Sequence, residues 1–368
     1  MIVREIRAMT GIRGAAATFV MIYHFENDLQ GRGGVPSLLD HGYLSVDLFF
    51  ILSGFVLSHV YGPAMRQGTF SFGAFLWHRI ARVYPLYLAA TVAILAMEWL
   101  RARDAGVDAG TILSNMVMLQ SLGNWPSIDP PAWSVSVELL AYLLFPLLAM
   151  LCLKGRAALA SAAGMLSLAA ILTLTLLASL HRIGAPVSRG PLDLFYSPYT
   201  ILRCLAGFTI GQLIWRVHDN ARLSRLTSRN AVQALVATLG LAMMSVQGSD
   251  FLVYLALIAL MLCLSAEQGM LTRLFASRPV YFLGRLSFPI YLTHFKAIGL
   301  LLAINGRLLA MGMPRAIGAP VALLSSALIV ICLSWMLHDW LERPCRRWLR
   351  RWQEVRQWRA GAAVSRPS

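Results

Sequence analysis

The chain has 368 residues, 58% of them apolar and only 13% charged, far from the roughly 45–50% and 25% of a water-soluble globule. Its net charge of +15 suggests nucleic acid at first, but with the N-terminus set in the cytoplasm twenty-one of the 32 basic residues fall in cytoplasmic segments and seven in outer ones. That is the positive-inside bias of a membrane protein, so composition and charge exclude a soluble domain and leave nucleic acid without a role.

Apolar runs approaching the roughly 20 residues of a spanning helix recur along the whole chain. They predict an all-α, polytopic integral membrane protein with ten transmembrane helices, over 7–25, 43–61, 84–100, 133–153, 158–180, 195–215, 231–247, 251–266, 280–303 and 316–341. Both termini are then cytoplasmic. The weakly apolar stretch 111–122 reads as re-entrant or interfacial. The first run is a retained helix rather than a signal peptide, because Arg13 interrupts it and no small-residue cleavage site follows Tyr23.

Within the first helix Arg13 and His24 are eleven residues apart. At about 100° and 1.5 Å per residue they share one face and stand roughly 16 Å apart along the axis. Ionisable groups at membrane depth usually face a cavity, a partner or a substrate path. The plainer alternative is a snorkelling arginine and an interfacial histidine. The second helix runs back inward and carries Asp47 in its first outer turn. Glu138 stands just over one turn below Trp133 in the fourth, so His24, Asp47 and Glu138 are expected in one outer layer. Both carboxylates also suit helix N-termini on dipole grounds alone. Arg79 and Arg82, just ahead of the third span, have the i,i+3 spacing that puts two guanidinium forks on one helical face; they also serve as positive-inside signals. In the ninth span His294 falls in the outer half, where an interhelical hydrogen bond is the alternative to a functional role.

The five cysteines are dispersed without metal-ligand spacing, so no disulfide or metal site is expected. After the last span, residues 342–368 form a basic tail. Cys345, Trp348, Leu349, Trp352 and Val355 make an apolar stripe among arginines, the pattern of a helix lying on an anionic leaflet.

Several of these elements carry a resemblance. Arg13 to His24 is similar to the R-x10-H signature of the acyltransferase 3 family of bacterial membrane-bound O-acyltransferases. Gly42 to Phe55 resembles that family's second-helix pattern, and Arg79-Ile80-Ala81-Arg82-Val83-Tyr84-Pro85 its RxxR-x-Y-P element. Trp133-Ser134-Val135-Ser136-Val137-Glu138 resembles its W-S-x-x-x-E helix, and Leu283 to His294 its late LGxxSYxxYLxH element. Gly33-Gly34 and Glu342-Arg343-Pro344 also match, so the likeness runs in order over nearly the whole chain. It implies an acyltransferase domain over 1–341, with 342–368 as a cytoplasmic tail, in the cytoplasmic (inner) membrane of a bacterium.

The resemblance further implies transfer of an acyl group, acetyl by default, from cytoplasmic acyl-CoA to a hydroxyl of a cell-envelope or exported saccharide, free or lipid-linked. His24 would act as general base, because neutral imidazole is available near its unperturbed pKa of roughly 6.5. Asp47 or Glu138 would hold its tautomer. Arg79 and Arg82 would clasp the donor phosphates and Arg13 would line the path of its pantetheine arm. Ser53, Trp133, Tyr291 and His294 would line the site. Acyl-CoA is a donor substrate, with no permanently bound cofactor and no metal. Direct transfer is preferred to an acyl-enzyme, because Ser53, Ser134 and Ser136 lack an activating neighbour. No extracytoplasmic domain follows the tail, so any such partner would be a separate chain. The competing class is a multi-span transporter or flippase of a lipid-linked saccharide, which the lack of paired broken segments disfavours.

Overall fold

Where water is excluded, each backbone N–H and C=O must be satisfied within its own segment, so long apolar runs fold as helix. The computed structural model describes residues 4–30, 38–102, 107–123, 125–183, 190–195 and 199–352, and among these there are helices and no strand. In chain order they are α1 (Arg7–Gln30), α2 (Ser45–Arg66), α3 (Phe72–Ala102), α4 (Ala109–Met116), α5 (Trp133–Ala149), α6 (Ala157–Ser179), α7 (Tyr199–Val217), α8 (Ala221–Thr227), α9 (Asn230–Met244), α10 (Asp250–Ser265), α11 (Met270–Phe275), α12 (Arg278–Thr293), α13 (Ile298–Ala310) and α14 (Arg315–Leu337). Gly33-Gly34 and the tail beyond Trp352 lie outside the described residues.

Of the ten expected spans, five are helices long and apolar enough to cross a membrane: Leu38–Arg66, Phe72–Leu100, Pro130–Lys154, Ala157–Ser179 and Arg315–Trp352. A sixth exists if α12 and α13 count together, but they are bent by 84°, so the continuous span expected over 280–303 is broken. At the end of α12 Thr293 Oγ1 donates to the Pro289 carbonyl (2.9 Å) and His294 Nδ1 to the Tyr291 carbonyl (2.8 Å), so side chains share the last acceptors of the helix. Helices α9 and α10, with 15 and 16 residues, fall short of the usual length. The third expected span starts earlier than predicted, at Phe72, which puts Arg79 and Arg82 inside a helix rather than in the segment before it. The 111–122 stretch contains only the eight-residue α4, too short to span.

Helices α1 and α7 occupy two expected positions but are less apolar than the five. The spanning window around α2 is 72% buried, against 22% for α6 on the periphery. Two glycine-mediated crossings bring this interior together. A Cβ on Gly14 would lie 2.2 Å from the Gly284 nitrogen, so α1 and α12 touch backbone to backbone; Gly54 of α2 meets the Phe208 carbonyl of α7 in the same way, at 2.0 Å. Close approach through small residues is the usual means of helix association when both faces are apolar.

Candidate active site

Three cavities among the described residues bear on the expected site. The largest of the three, of about 950 Å³, is lined by arginines from four elements: Arg13 of α1, Arg79 and Arg82 of α3, Arg285 of α12, and Arg346 beyond α14. Arg13 is held in place by the α1–α12 crossing. Its Nε donates to Ser287 Oγ (2.8 Å) and its Nη2 to the Gly284 carbonyl (3.2 Å). Arg79 Nη2 reaches Tyr61 Oη at 3.4 Å with its guanidinium 5.6 Å from that ring, while its buried Nε has no partner in the structure. Helix α3 is itself pinned just beyond the arginines: Tyr84 Oη donates to the Met116 carbonyl (3.0 Å) and Tyr87 Oη to that of Asn115 (2.6 Å).

A middle cavity of about 110 Å³ shares Arg13, Arg79 and Arg82 with the first and adds Ser53, Glu138 and Tyr291. Tyr291 Oη donates to the Pro131 carbonyl (3.1 Å) and lies 2.9 Å from Ser134 Oγ, fixing its ring at the far end of this space. Val46 and Tyr291 also line a third cavity of about 160 Å³, together with His24, Tyr23, Trp133 and Phe295. The three spaces therefore share walls in sequence from the arginines to His24, and Arg13 and His24 mark opposite stretches of one helix face, as their spacing predicts.

At the histidine end, the ring centres of His24 and His294 are 5.2 Å apart, with Phe295 5.3 Å from His24. A carbonyl can only accept, so the bond from His294 to the Tyr291 carbonyl puts its proton on Nδ1 and leaves Nε2 with a lone pair. That Nε2 is buried and unpartnered. The group expected at the margin of the site thus has the better defined tautomer.

His24, Asp47 and Glu138 do not form one interacting set. Asp47 belongs to a buried ion pair: Arg203 Nε and Nη2 donate to its two oxygens at 2.9 and 2.6 Å. Arg203 also donates to the Leu194 carbonyl (2.9 Å) and lies 5.8 Å from the Trp133 ring. Glu138 lines the middle cavity beside the arginines, and neither carboxylate pairs with His24. Sequence reasoning overlooked Arg203, although the signal was the one that singled out Arg13, a charge inside an apolar run. It also missed Ser287, whose hydroxyl orients Arg13. Ser53, Trp133 and Tyr291 do line the connected spaces.

The profile of a family described as "Acyltransferase domain" matches residues 6–339. The chain is similar to "Acyltransferase MdmB" of Streptomyces mycarofaciens, 27% identical over 95% of this chain and 93% of that protein. It is 36% identical to "Protein 2 in picA locus" of Rhizobium radiobacter over a shorter stretch, 36% of this chain and 75% of the other. A third relative, "Putative peptidoglycan O-acetyltransferase YrhL" of Bacillus subtilis, is 23% identical over 93% of this chain, which spans 55% of that longer protein. No solved structure matches. With the family profile running from the start of α1 through α14, the chain belongs to the acyltransferase 3 family of membrane acyltransferases, which move groups other than amino-acyl groups.

Proposed function

We propose that this protein transfers an acyl group, acetyl by default, from cytoplasmic acyl-CoA to a hydroxyl of a cell-envelope or exported saccharide. One observation carries the reading: a wide arginine-lined cavity, a small middle one and a histidine-lined one follow one another, each sharing lining residues with the next. Coenzyme A has the matching shape, with phosphates at one end and a thioester at the end of a long flexible arm. In this reading the phosphates rest against Arg79 and Arg82, the arm passes Arg13, and the thioester arrives near His24. The acceptor enters from the other side, and a relative named for peptidoglycan O-acetylation supports a saccharide. The topology proposed with it has ten crossings and both termini in the cytoplasm of a bacterial inner membrane.

The acceptor oxygen attacks the thioester carbonyl carbon, the carbon–sulfur bond breaks, and the thiolate leaves. His24 takes the hydroxyl proton as the new bond forms and returns it to the sulfur. His294, with its free Nε2 lone pair, replaces Asp47 and Glu138 as the neighbour able to hold the His24 tautomer once the His24 ring turns toward it. Transfer is direct in this scheme, with no acyl-enzyme.

The test is reconstitution of the purified protein with radiolabelled acetyl-CoA and an envelope saccharide. Label should pass to the saccharide, and His24→Ala should abolish transfer while coenzyme A binding persists. Near-normal turnover in His24→Ala would sink the base assignment. Movement of saccharide across the bilayer with no thioester consumed would return the protein to the transporters. Mass spectrometry of envelope glycans from a deletion strain identifies the acceptor.

A further inference from the structure

The basic segment after α14 has the composition of a surface anchor, yet it folds against the protein. The helix runs unbroken from Arg315 to Trp352. Its wide π-helical turn at His338–Glu342 is closed by a buried contact between His338 Nδ1 and Glu342 Oε2 (3.0 Å). An extra residue in a turn rotates everything beyond it by about 100°, which changes the face that the following arginines present. Helix α3 then fixes the end: Trp77 Nε1 donates to the Leu349 carbonyl (3.0 Å), and the Trp77 and Trp352 rings are 5.2 Å apart.

As a result Arg343, Arg346 and Arg350 line the large cavity, whereas Arg347 and Arg351 are exposed and do not. Arg346 is partly buried and close enough to Arg82 and Arg79 for their charges to repel. Among the described residues the carboxylates lining the cavity are Glu5 and Glu342; Glu342 contacts His338, and Asp339 next to it reaches Arg343 at 3.7 Å and Arg285 at 3.8 Å, so the guanidinium groups still outnumber the carboxylates around them. Arg79 brings a second observation, its buried Nε without a partner. Guanidinium groups held together in one concavity repel unless a polyanion neutralises them, and planar N–H forks are well matched to phosphate oxygens.

We propose that the C-terminal helix is part of the donor site, with Arg343 and Arg346 gripping the phosphates of the nucleotide thioester opposite Arg79 and Arg82. The inference rests on the reading of acyl-CoA as donor and adds to it a wall of the site contributed by the chain's last described helix. An anionic lipid headgroup offers the same chemistry, so the experiment separates the two sources.

Calorimetry on the full chain in neutral-lipid nanodiscs, with coenzyme A and acetyl-pantetheine as titrants, gives the answer. Arg343→Ala and Arg346→Ala should each weaken coenzyme A binding by about tenfold, as loss of a charge-assisted contact does. Acetyl-pantetheine, which has no nucleotide phosphates, should bind as tightly as to wild type. Arg347→Ala should behave as wild type, and Arg346→Lys, which keeps the charge and loses the fork, should recover part of the affinity. Thermal melting of each variant separates lost binding from lost folding. If wild type binds coenzyme A, Arg79→Ala loses it and the two tail variants do not, the C-terminal helix is no part of the donor site. If the tail variants instead lose only retained phosphatidylglycerol, the arginines hold lipid and the inference is overturned. Failure of wild type itself to bind coenzyme A would remove the donor reading and the inference with it.

Discussion

Asp47 and Arg203 are each about 1% exposed or less and make two parallel hydrogen bonds, the strongest form of carboxylate–guanidinium contact. Breaking such a pair from one side leaves an uncompensated buried charge. Asp47→Asn should therefore destabilise the protein by about 3–5 kcal/mol, seen as a lower melting temperature in detergent, and Asp47→Leu combined with Arg203→Met should recover much of it. If Asp47→Asn instead melts like wild type and loses turnover, Asp47 acts on the chemistry after all. For the histidines the expectation is the reverse. His294→Ala should lower turnover by about 10²–10⁴-fold with donor affinity kept, and the His24/His294 double variant should be little worse than the poorer single, because groups acting as one unit are not additive. Independent losses that multiply would separate their roles. Asp129, in the loop ahead of the α5 span, has both carboxylate oxygens buried without a partner; burial pushes its pKa up to about 8 against the opposing charge of Lys296. Between an unfolded value near 3.8 and 8 the folded state holds the extra proton, so this group makes stability fall as pH rises through that window and level off above it. Asp129→Asn should remove that slope from melting temperatures measured between pH 5 and pH 8 (a window set by the two pKa values).

Helix contacts decide where these groups stand. The α1–α12 crossing sets Arg13 against Ser287 only because neither Gly14 nor Gly284 carries a side chain. Gly14→Ala should force the helices apart and cost activity, through loss of the Arg13 anchor, more than the change in melting temperature alone accounts for. The control is Gly299→Ala in α13, where an added Cβ meets nothing within 4 Å; helix propensity then favours alanine by up to about 1 kcal/mol, and turnover should hold. These elements also show what the sequence could convey. Runs of apolar residues announced the helices, and the intervals between Arg13 and His24 and between Arg79 and Arg82 announced shared faces, because both follow from the 3.6-residue turn. The partner of Asp47, 156 residues away, follows from no local period. Nor does the bend after Thr293. Interior α2 and peripheral α6 are both apolar enough to span, so hydropathy alone does not separate a helix wrapped by others from one on the periphery. The tail's arginines had the expected helical stripe, but the π turn that aims them at the cavity has no signature in composition.

Across the molecule three spaces of about 950, 110 and 160 Å³ follow one another from the arginines to His24, neighbours sharing lining residues, and on the proposed reading the small middle one is the waist of the donor's path. On that reading the waist would pass a thin flexible arm and hold a nucleotide on one side and a sugar ring on the other. Ser53 lines this waist and, on this reading, takes no part in the chemistry. Replacing it with tryptophan should fill the passage with an aromatic side chain. Donor phosphates would still meet their arginines, so coenzyme A itself should bind to Ser53→Trp within about threefold of wild type, a difference of under roughly 1 kcal/mol. Turnover from acetyl-CoA should collapse, because the thioester no longer reaches His24. Ser53→Ala, which widens the waist slightly, should turn over as wild type and would exclude Ser53 as a nucleophile at the same time. Calorimetry with coenzyme A and initial rates with radiolabelled acetyl-CoA, on the same three preparations, distinguish the outcomes. Full activity in Ser53→Trp would mean that the arm takes another route, and the order of cavities from arginine to histidine would no longer describe the path of the acyl group.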